Sequence, residues 1–164
     1  MANYDWDRFT LRISIRASEE AIRNAWTTQD GIERWLLSRA EFTKPDGSLR
    51  ENGSRVEAGD TYAWRWHGHA DYVGTGEILP SEGDSFLRFT FSGCIVSVTA
   101  KHEAGETLCE LTQEMPQEKE EDRRYYYIEC GKGWTFYMTN LKSTLEGGID
   151  LRNKNNDLHD VINA

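Results

Sequence analysis

Seven short segments of this chain alternate apolar and polar residues, and a long segment after them carries an apolar stripe at helical spacing. In the first segment, Phe9, Leu11 and Ile13 alternate with polar residues. Successive side chains of a strand point to opposite faces, so this period of two predicts half-buried strands. Later strands are predicted at residues 40–43, 60–67, 71–79, 86–91, 94–102 and 107–115. Turn sequences rich in glycine and aspartate separate them, which predicts an antiparallel meander.

Helices are predicted on both sides of the meander. Ser18 is a good N-cap for a short helix, and Asp30 is expected to cap a second one. The acidic run at residues 118–122 predicts the start of a long helix, because negative charge is favourable at a helix N-terminus. Gly147 and Gly148 end that helix, since glycine tolerates the left-handed conformation of a helix cap. One apolar face runs along it, formed by Tyr127, Gly131, Trp134, Met138, Leu141 and Leu145.

This order of elements predicts an α+β fold. A curved antiparallel sheet of six or seven strands wraps a long C-terminal helix, and two short helices follow the first strand. Such a shape leaves an interior lined by inward side chains of sheet and helix, which can hold a ligand. Gly131 and Gly133 interrupt the long helix at a cost of about 1 kcal/mol each relative to alanine. They predict a close approach of the helix backbone to the sheet or to a ligand.

Charge and hydropathy exclude two classes of partner. The chain has 19 Lys plus Arg against 28 Asp plus Glu, a net charge of -9, which disfavours contact with nucleic-acid phosphates. Its longest uninterrupted apolar stretch is residues 125–128, far below the ~20 residues that span a bilayer. Residues 1–5 lack the basic and then apolar pattern of a signal peptide. We therefore expect a soluble, cytoplasmic protein without membrane insertion.

Three cysteines, Cys94, Cys109 and Cys130, are widely spaced and form no C-x-x-C pair. An odd number without paired spacing argues against both a disulfide framework and a thiolate zinc site. We interpret them as small buried apolar residues, which is the usual habit of free cysteine.

Several motifs follow one another in an order typical of one superfamily. They are SEEAIRNAW at residues 18–26, GIERW at 31–35, GDTYAW at 59–64, GTGEIL at 74–79, LRFTF at 87–91, GW at 133–134 and NLKSTLE at 140–146. With these motifs the sequence resembles the START-like helix-grip superfamily, also called SRPBCC or the polyketide-cyclase and birch-allergen type. Within it, the chain is similar to the branch named after the activator of the heat-shock-protein ATPase.

The resemblance implies a sheet that grips the C-terminal helix around an apolar cavity, which the superfamily uses for lipids, sterols, polyketides and plant hormones. It covers roughly residues 9–148, so we predict a START-like domain at 1–148 and a C-terminal tail at 149–164. The eukaryotic co-chaperone of this branch has a separate N-terminal domain that contacts the chaperone. Little chain precedes the first predicted strand here, which argues against chaperone activation.

Aromatic residues are the main candidates for a ligand site, because buried Trp and Tyr combine large apolar area with one hydrogen-bonding group. The candidate set is Trp35, Tyr62, Trp64, Trp66, Phe89, Phe91, Tyr127, Trp134 and Tyr137. These rings either line a cavity or fill the core. Alternation places Tyr62, Trp64 and Trp66 on one strand face, inner or outer; on the outer face they would form a patch for a protein partner.

The predicted ligand-binding residues are Trp35, Tyr62, Trp64, Phe89, Phe91, Gln113, Met115, Trp134 and Met138. We expect Trp134 and Met138 to form one wall of an internal cavity and the strand aromatics the other. Gln113 is in phase with apolar neighbours, and an unpaired buried amide costs about 1–3 kcal/mol. A ligand polar group, the Tyr137 hydroxyl or a bound water can satisfy it. The expected ligand is a small hydrophobic or aromatic molecule, lipid-like or polyketide-like.

Metal binding and catalysis are less favoured. His67, His69 and Asp71 are in phase as a possible metal set, but Gly68 between them suggests a hairpin loop. No nucleophile elbow, phosphate loop or H-E-x-x-H pattern is present. We therefore predict no cofactor, no metal and no catalytic residue. A cyclase-type enzyme that uses the same cavity remains an alternative, as does a co-chaperone-like interaction module or a homodimer.

The tail beyond Gly148 departs from the minimal domain. Its apolar residues Leu158, Val161 and Ile162 are spaced to pack as one helical turn on the domain or on a partner. Docking on the domain is the preferred interpretation.

Overall fold

The computed structural model describes residues 4–162, so the first three residues of the predicted domain and the last two of the predicted tail lie outside the described residues. The elements are β1 (Arg8–Ser14), α1 (Glu19–Thr27), α2 (Gln29–Ile32), β2 (Arg39–Thr43), β3 (Thr61–Arg65), β4 (Gly74–Leu79), β5 (Leu87–Phe91), β6 (Cys94–Glu103), β7 (Glu106–Glu114) and α3 (Glu120–Leu145). The predicted α+β order is confirmed.

The strands form one antiparallel sheet in the order β1-β7-β6-β5-β4-β3-β2. Strands β2 to β7 pair with their neighbours in sequence, so the predicted meander is confirmed. The first strand returns to the far edge and pairs with β7, from Arg8 opposite Glu114 to Ser14 opposite Leu108. This long-range pair places the start of the chain beside the strand that leads into α3.

Local hydrogen bonds explain where the helices begin and end. The Ser18 hydroxyl accepts from the Ala21 amide at 3.1 Å, as predicted. The predicted cap at Asp30 is wrong, because α2 begins earlier and the Thr28 hydroxyl accepts from the Gly31 amide at 3.0 Å. At the end of α3, Gly147 has a φ of 80°, and the Gly148 amide donates to the Ser143 carbonyl at 2.7 Å.

The core lies between the inner face of the sheet and the helices. Tyr62 and Trp64 point into this core with 4% and 1% of their surface exposed, which settles the face that the sequence left open. Trp66, beyond the end of β3, is half-buried. From α3, the core receives Trp134, Met138 and Leu141.

The sheet is weakly joined between β4 and β5. These strands pair at two positions, Ile78 with Phe89 and Leu79 with Arg88. Beyond them the Tyr62 ring crosses Gly76, and its hydroxyl donates to the Thr90 carbonyl at 2.7 Å. A Cβ atom on Gly76 would stand 2.5 Å from the Tyr62 hydroxyl oxygen, so this crossing requires glycine.

The chain after α3 is tied to the region around α2. Arg152 is 8% exposed, and its guanidinium donates to the carbonyls of Leu37 at 2.8 Å and Glu33 at 3.0 Å. Asn140 of α3 donates to the Trp35 carbonyl at 2.8 Å and accepts from the Leu151 amide at 2.7 Å.

The far part of the tail is less buried. Leu158 and Ile162 are exposed at 46% and 88%, and no helical turn forms there within the described part of the tail. Docking of the whole tail stays a prediction. Within residues 4–162, no helix is long and apolar enough to cross a membrane.

Candidate functional site

A cleft of about 270 Å³ opens between the first half of α3 and the inner edge of the sheet. Its walls come from α3, from the end of β5 and from the residues that follow α2 and β3. The lining residues are Leu36, Trp66, Phe91, Ser92, Tyr125, Tyr126, Glu129, Cys130, Gly133, Trp134 and Tyr137. Its volume lies just below the ~300–1,000 Å³ that small-molecule sites usually have.

Helical spacing explains the α3 wall. Tyr126, Cys130, Gly133 and Tyr137 recur at intervals of four, three and four residues, so they share one face of the helix. That face lies beside the fully buried stripe that begins at Trp134. Because the sheet does not cover it completely, these side chains are only half-buried.

Gly133 contributes backbone and no side chain to this wall. Apart from its chain neighbours and its own helix, no heavy atom lies within 4 Å of the point where a Cβ atom would stand. The same is true of Gly131. The prediction that the sheet approaches these glycines closely is therefore wrong. The other predicted reason for them, space for a ligand, applies to Gly133 because it lines the cleft.

Three aromatic rings pack together in the cleft, Trp66 and Phe91 from the sheet side and Trp134 from α3. The ring centroids of Trp66 and Phe91 are 6.3 Å apart at 66°, and those of Phe91 and Trp134 are 5.1 Å apart at 52°. Such inclined contacts are the favoured geometry of aromatic pairs. These three rings form a continuous aromatic surface in the cleft that Gly133 also lines.

Most of the predicted ligand-binding residues lie deeper than this cleft. Phe91 and Trp134 line it. The others are buried in the core with at most 4% of their surface exposed: Trp35, Tyr62, Trp64, Phe89, Gln113, Met115 and Met138. They pack against one another, as in the stacked pair of Tyr62 and Trp64 at 4.0 Å. The sequence predicted an internal cavity lined by these side chains. In the structure the side chains themselves fill that interior.

Gln113 has a protein partner. Its Oε1 atom accepts from the Trp134 indole N–H at 2.7 Å, and its Nε2 atom lies 3.8 Å from the Met115 sulfur. The sequence had offered a ligand, a water or the Tyr137 hydroxyl for this role. The observed bond instead joins β7 to α3 directly behind the cleft.

Glu129 supplies the charge in the cleft. Burial raises the pKa of Cys130 to about 11 and that of Tyr137 to about 12, so both are neutral at pH 7. Tyr126 has its pKa raised, chiefly by burial. Among the lining side chains within residues 4–162, Glu129 is the one carboxylate, and no Lys or Arg is present. Its Oε1 atom accepts from the Lys132 ammonium at 2.8 Å.

A shallower depression of about 390 Å³ continues from the cleft towards the tail. It shares Trp66, Phe91, Ser92, Gly133 and Tyr137 with the cleft, and Val161 and Ile162 of the tail border it. The tail is held nearby because the Asn156 side chain accepts from the Gly68 amide at 2.9 Å.

The loop with His67, His69 and Asp71 is a hairpin connection, and its side chains do not form a metal site. Across residues 4–162, no group of three His, Cys, Asp or Glu side chains is placed to hold a metal ion. The pKa of His67 is lowered, first by burial and then by the positive charge of Arg152 and Lys154.

Most of the cleft lies outside the ligand site predicted from the sequence. Trp66 and Tyr137 are among the predicted aromatic candidates, and Gly133 is one of the two unusual helical glycines. Leu36, Tyr126 and Cys130 carried no signal beyond apolar character. The position of Tyr126 and Cys130 four residues apart, in phase with Gly133, is the pattern that points to this face.

Comparisons with known proteins agree with the fold. The family described as Activator of Hsp90 ATPase homolog 1-like protein matches residues 16–146. No curated protein sequence matches significantly. A solved structure of the Staphylococcus saprophyticus protein SSP2350 superposes with a TM-score of 0.67 and 17% identity, covering 88% of this chain and 96% of that one.

Two further structures share the fold. The Aha1 dimer from Colwellia psychrerythraea has a TM-score of 0.63 and 19% identity, over 86% of this chain and 97% of that one. DynU16, a putative protein in the dynemicin biosynthetic locus, has a TM-score of 0.62 and 18% identity, over 85% of this chain and 47% of that one. At these identities the likeness concerns the fold alone.

Proposed function

The chain belongs to the family of Activator of Hsp90 ATPase homolog 1-like proteins, and we propose that it binds a small hydrophobic or aromatic molecule in the cleft beside α3. The fold is one that binds ligands in general. The cleft is where this chain leaves apolar space between its helix and its sheet.

The open space over Gly133 carries the proposal. A glycine inside a helix costs about 1 kcal/mol relative to alanine, and no contact within the described chain requires one here. Trp66 and Phe91 line the same cleft from the sheet side, and Trp134 lines it beside Gly133 on α3. A flat apolar molecule placed there buries its surface against rings on one side and backbone on the other.

The predicted site residues divide into two roles in this proposal. Phe91 and Trp134 contact the ligand directly. The seven deeper residues support the wall: Gln113 fixes the Trp134 indole, and Trp64 packs 5.3 Å from Phe89 and 6.4 Å from Phe91 between ring centroids. No catalytic residue is part of this proposal.

Native mass spectrometry of gently purified protein is the first experiment. A reproducible mass difference between the native and the denatured protein would reveal a noncovalent ligand and its chemical class. The same measurement on Gly133→Leu tests the location, because a leucine side chain there fills the cleft. We expect the ligand peak to be lost in this variant.

Gly131→Leu is the matched control. It is two residues away on the same helix, it has the same open space at its Cβ position, and it does not line the cleft. The control is expected to retain the ligand. Retention in both variants would place the ligand elsewhere, and loss in both would indicate a general effect on the helix.

Self-association is a second candidate, favoured by an exposed aromatic patch at the start of α3. Here Tyr4 and Trp6 pack on Tyr127, with the Tyr4 and Tyr127 hydroxyls 2.7 Å apart. Tyr4 is 60% exposed and the neighbouring Ile128 is 42% exposed. One similar structure is described as a dimer.

Light scattering during size-exclusion chromatography tests this candidate. A dimer that dissociates in Ile128→Lys and persists in Arg39→Gln, on β2 at the opposite edge of the sheet, supports the patch as its interface. A monomer at all concentrations contradicts it.

A further inference from the structure

We propose that the ligand of the cleft is a small organic cation, a protonated arylalkylamine or a quaternary ammonium, rather than a neutral or anionic lipid. The inference rests on the proposed function and names the chemical class of its ligand. It follows from the combination of aromatic faces with a carboxylate and with no cation among the lining side chains.

Aromatic faces are the first observation. Trp66, Phe91 and Trp134 meet at inclined angles, so they do not stack face to face and cover one another. Tyr126 and Tyr137 border the same space from α3. Because the face of each ring is the negative pole of its quadrupole, a positive charge among them is attracted to several rings at once.

Charge is the second observation. Glu129 brings one negative charge to the rim of the cleft, and no Lys or Arg lines it within the described residues. Lys132, which pairs with Glu129, does not line the cleft; it borders a neighbouring depression whose lining also includes Glu129 and Gly133. An anionic headgroup would therefore meet a carboxylate and no compensating cation.

The Glu129–Lys132 pair does not block this role. Both side chains are well exposed, at 49% and 68%, and pairs of this kind contribute little to stability. A ligand cation that enters from the cleft can take the place of the ammonium group. The net charge of -9 further favours the approach of cations over anions.

Two probes of the same shape separate charge from apolar contact. Calorimetric titration compares para-hydroxyphenyltrimethylammonium with its uncharged carbon isostere, para-tert-butylphenol, at low salt. We expect the cation to bind about tenfold more tightly than the isostere, because the cation alone gains from rings and carboxylate. An anionic third probe, para-tert-butylbenzoate, is expected to bind most weakly.

Three variants assign the effect to the cleft. Glu129→Gln is expected to lower the affinity for the cation about fivefold and to leave the affinity for the isostere unchanged. Lys132→Gln is expected to raise the affinity for the cation, because it removes the ammonium group that competes for Glu129. Glu121→Gln is the control, since it removes an equal charge from the exposed first turn of the same helix. Its effect on the cation is expected to be far smaller.

The outcomes distinguish this inference from the proposed function. If the isostere binds as tightly as the cation, and Gly133→Leu abolishes its binding, the cleft binds ligands but the cation is the wrong class. If none of the probes binds, both the inference and the cleft as a ligand site are overturned. An equal loss of affinity for the cation in the Glu129→Gln and Glu121→Gln variants would mean that net charge, and not a carboxylate at the cleft, causes the effect.

Discussion

At the scale of single residues, the hydrogen bond from Trp134 to Gln113 fixes the Trp134 indole, which lines the cleft. Both side chains are almost completely buried, and the 2.7 Å bond spans from α3 to β7. A buried amide without its partner costs free energy, whereas replacing both polar groups by apolar ones is nearly neutral. The indole ring is thereby held in one orientation behind the ligand space.

Substitution of this pair gives a direct test. Trp134→Phe is expected to lower the free energy of unfolding by about 2–3 kcal/mol, because it removes the donor and part of a buried ring. Adding Gln113→Leu is expected to recover about 1 kcal/mol of that loss, since no polar group is left unpaired. Urea denaturation of the two single variants and the double variant measures it. Additive losses would contradict the assigned bond.

At the scale of elements, the two glycines of α3 lower the stability of the helix, and no close contact at their Cβ positions requires them. We expect Gly131→Ala and Gly133→Ala each to raise the free energy of unfolding by about 0.5–1 kcal/mol, because a methyl group at either position meets open space. Chemical denaturation checks this. A destabilised variant would mean that the glycine serves a backbone distortion that the contacts do not show.

The segment after α3 gives a second prediction at this scale. Arg152→Met is expected to lower the free energy of unfolding by about 3 kcal/mol, because the buried guanidinium bonds two carbonyls and Asp150. Lys154→Met is the matched control. It pairs with the same Asp150 oxygen but is 56% exposed, so its loss is expected to stay below about 0.5 kcal/mol. Thermal unfolding of both variants compares the stability lost with the buried Arg152 bonds to that lost with the exposed Lys154 ion pair.

Elements were largely predictable because each depends on a local pattern. Period two located the strands, and the heptad-like stripe through Trp134 and Met138 located α3. The N-cap of α2 was predicted at Asp30 and lies at Thr28, because both residue types serve as caps and only the backbone conformation decides between them. The return of β1 to β7 depends on long-range packing, which no local pattern encodes.

The candidate site was less predictable. Alternation correctly placed Tyr62 and Trp64 on one face with Trp66 in phase, but it carries no information on how large rings share volume. In the structure Tyr62 and Trp64 stack on each other and fill the interior. The remaining space lies further out, beside Trp66 and over Gly133.

At the scale of the whole molecule, buried carboxylates determine the response to acid. Burial raises the pKa of Asp150, but hydrogen bonds from Arg152, Lys154 and Asn140 outweigh it, and the pKa lies well below its usual range. Burial likewise raises the pKa of Asp60, and hydrogen bonds, the first from Arg50, bring it below its usual value. Both groups are therefore more acidic in the folded state than in the unfolded chain.

The sign of the pH dependence follows. Above the unfolded pKa of about 3.9 both carboxylates contribute fully to stability, and as the pH falls towards their lower folded pKa values that contribution is lost. We expect the melting temperature to fall steeply below about pH 4. Asp150→Asn is expected to start from a lower melting temperature at pH 7 and to show a shallower fall. Calorimetry between neutral and acidic pH measures both slopes, and parallel slopes would contradict the role of Asp150.

The seam between β4 and β5 divides the sheet into two blocks, and the cleft lies across it. Trp66 belongs to the block of β2, β3 and β4, whereas Phe91 belongs to the block of β1, β5, β6 and β7. The blocks are joined here by two residue pairs and by two hydrogen bonds. The Tyr62 hydroxyl donates to the Thr90 carbonyl, and the Glu77 amide donates to the Thr90 hydroxyl. Few main-chain pairs therefore fix the spacing of Trp66 and Phe91 across the seam, and the ring contacts of Trp64 with Phe89 and Phe91 span it instead.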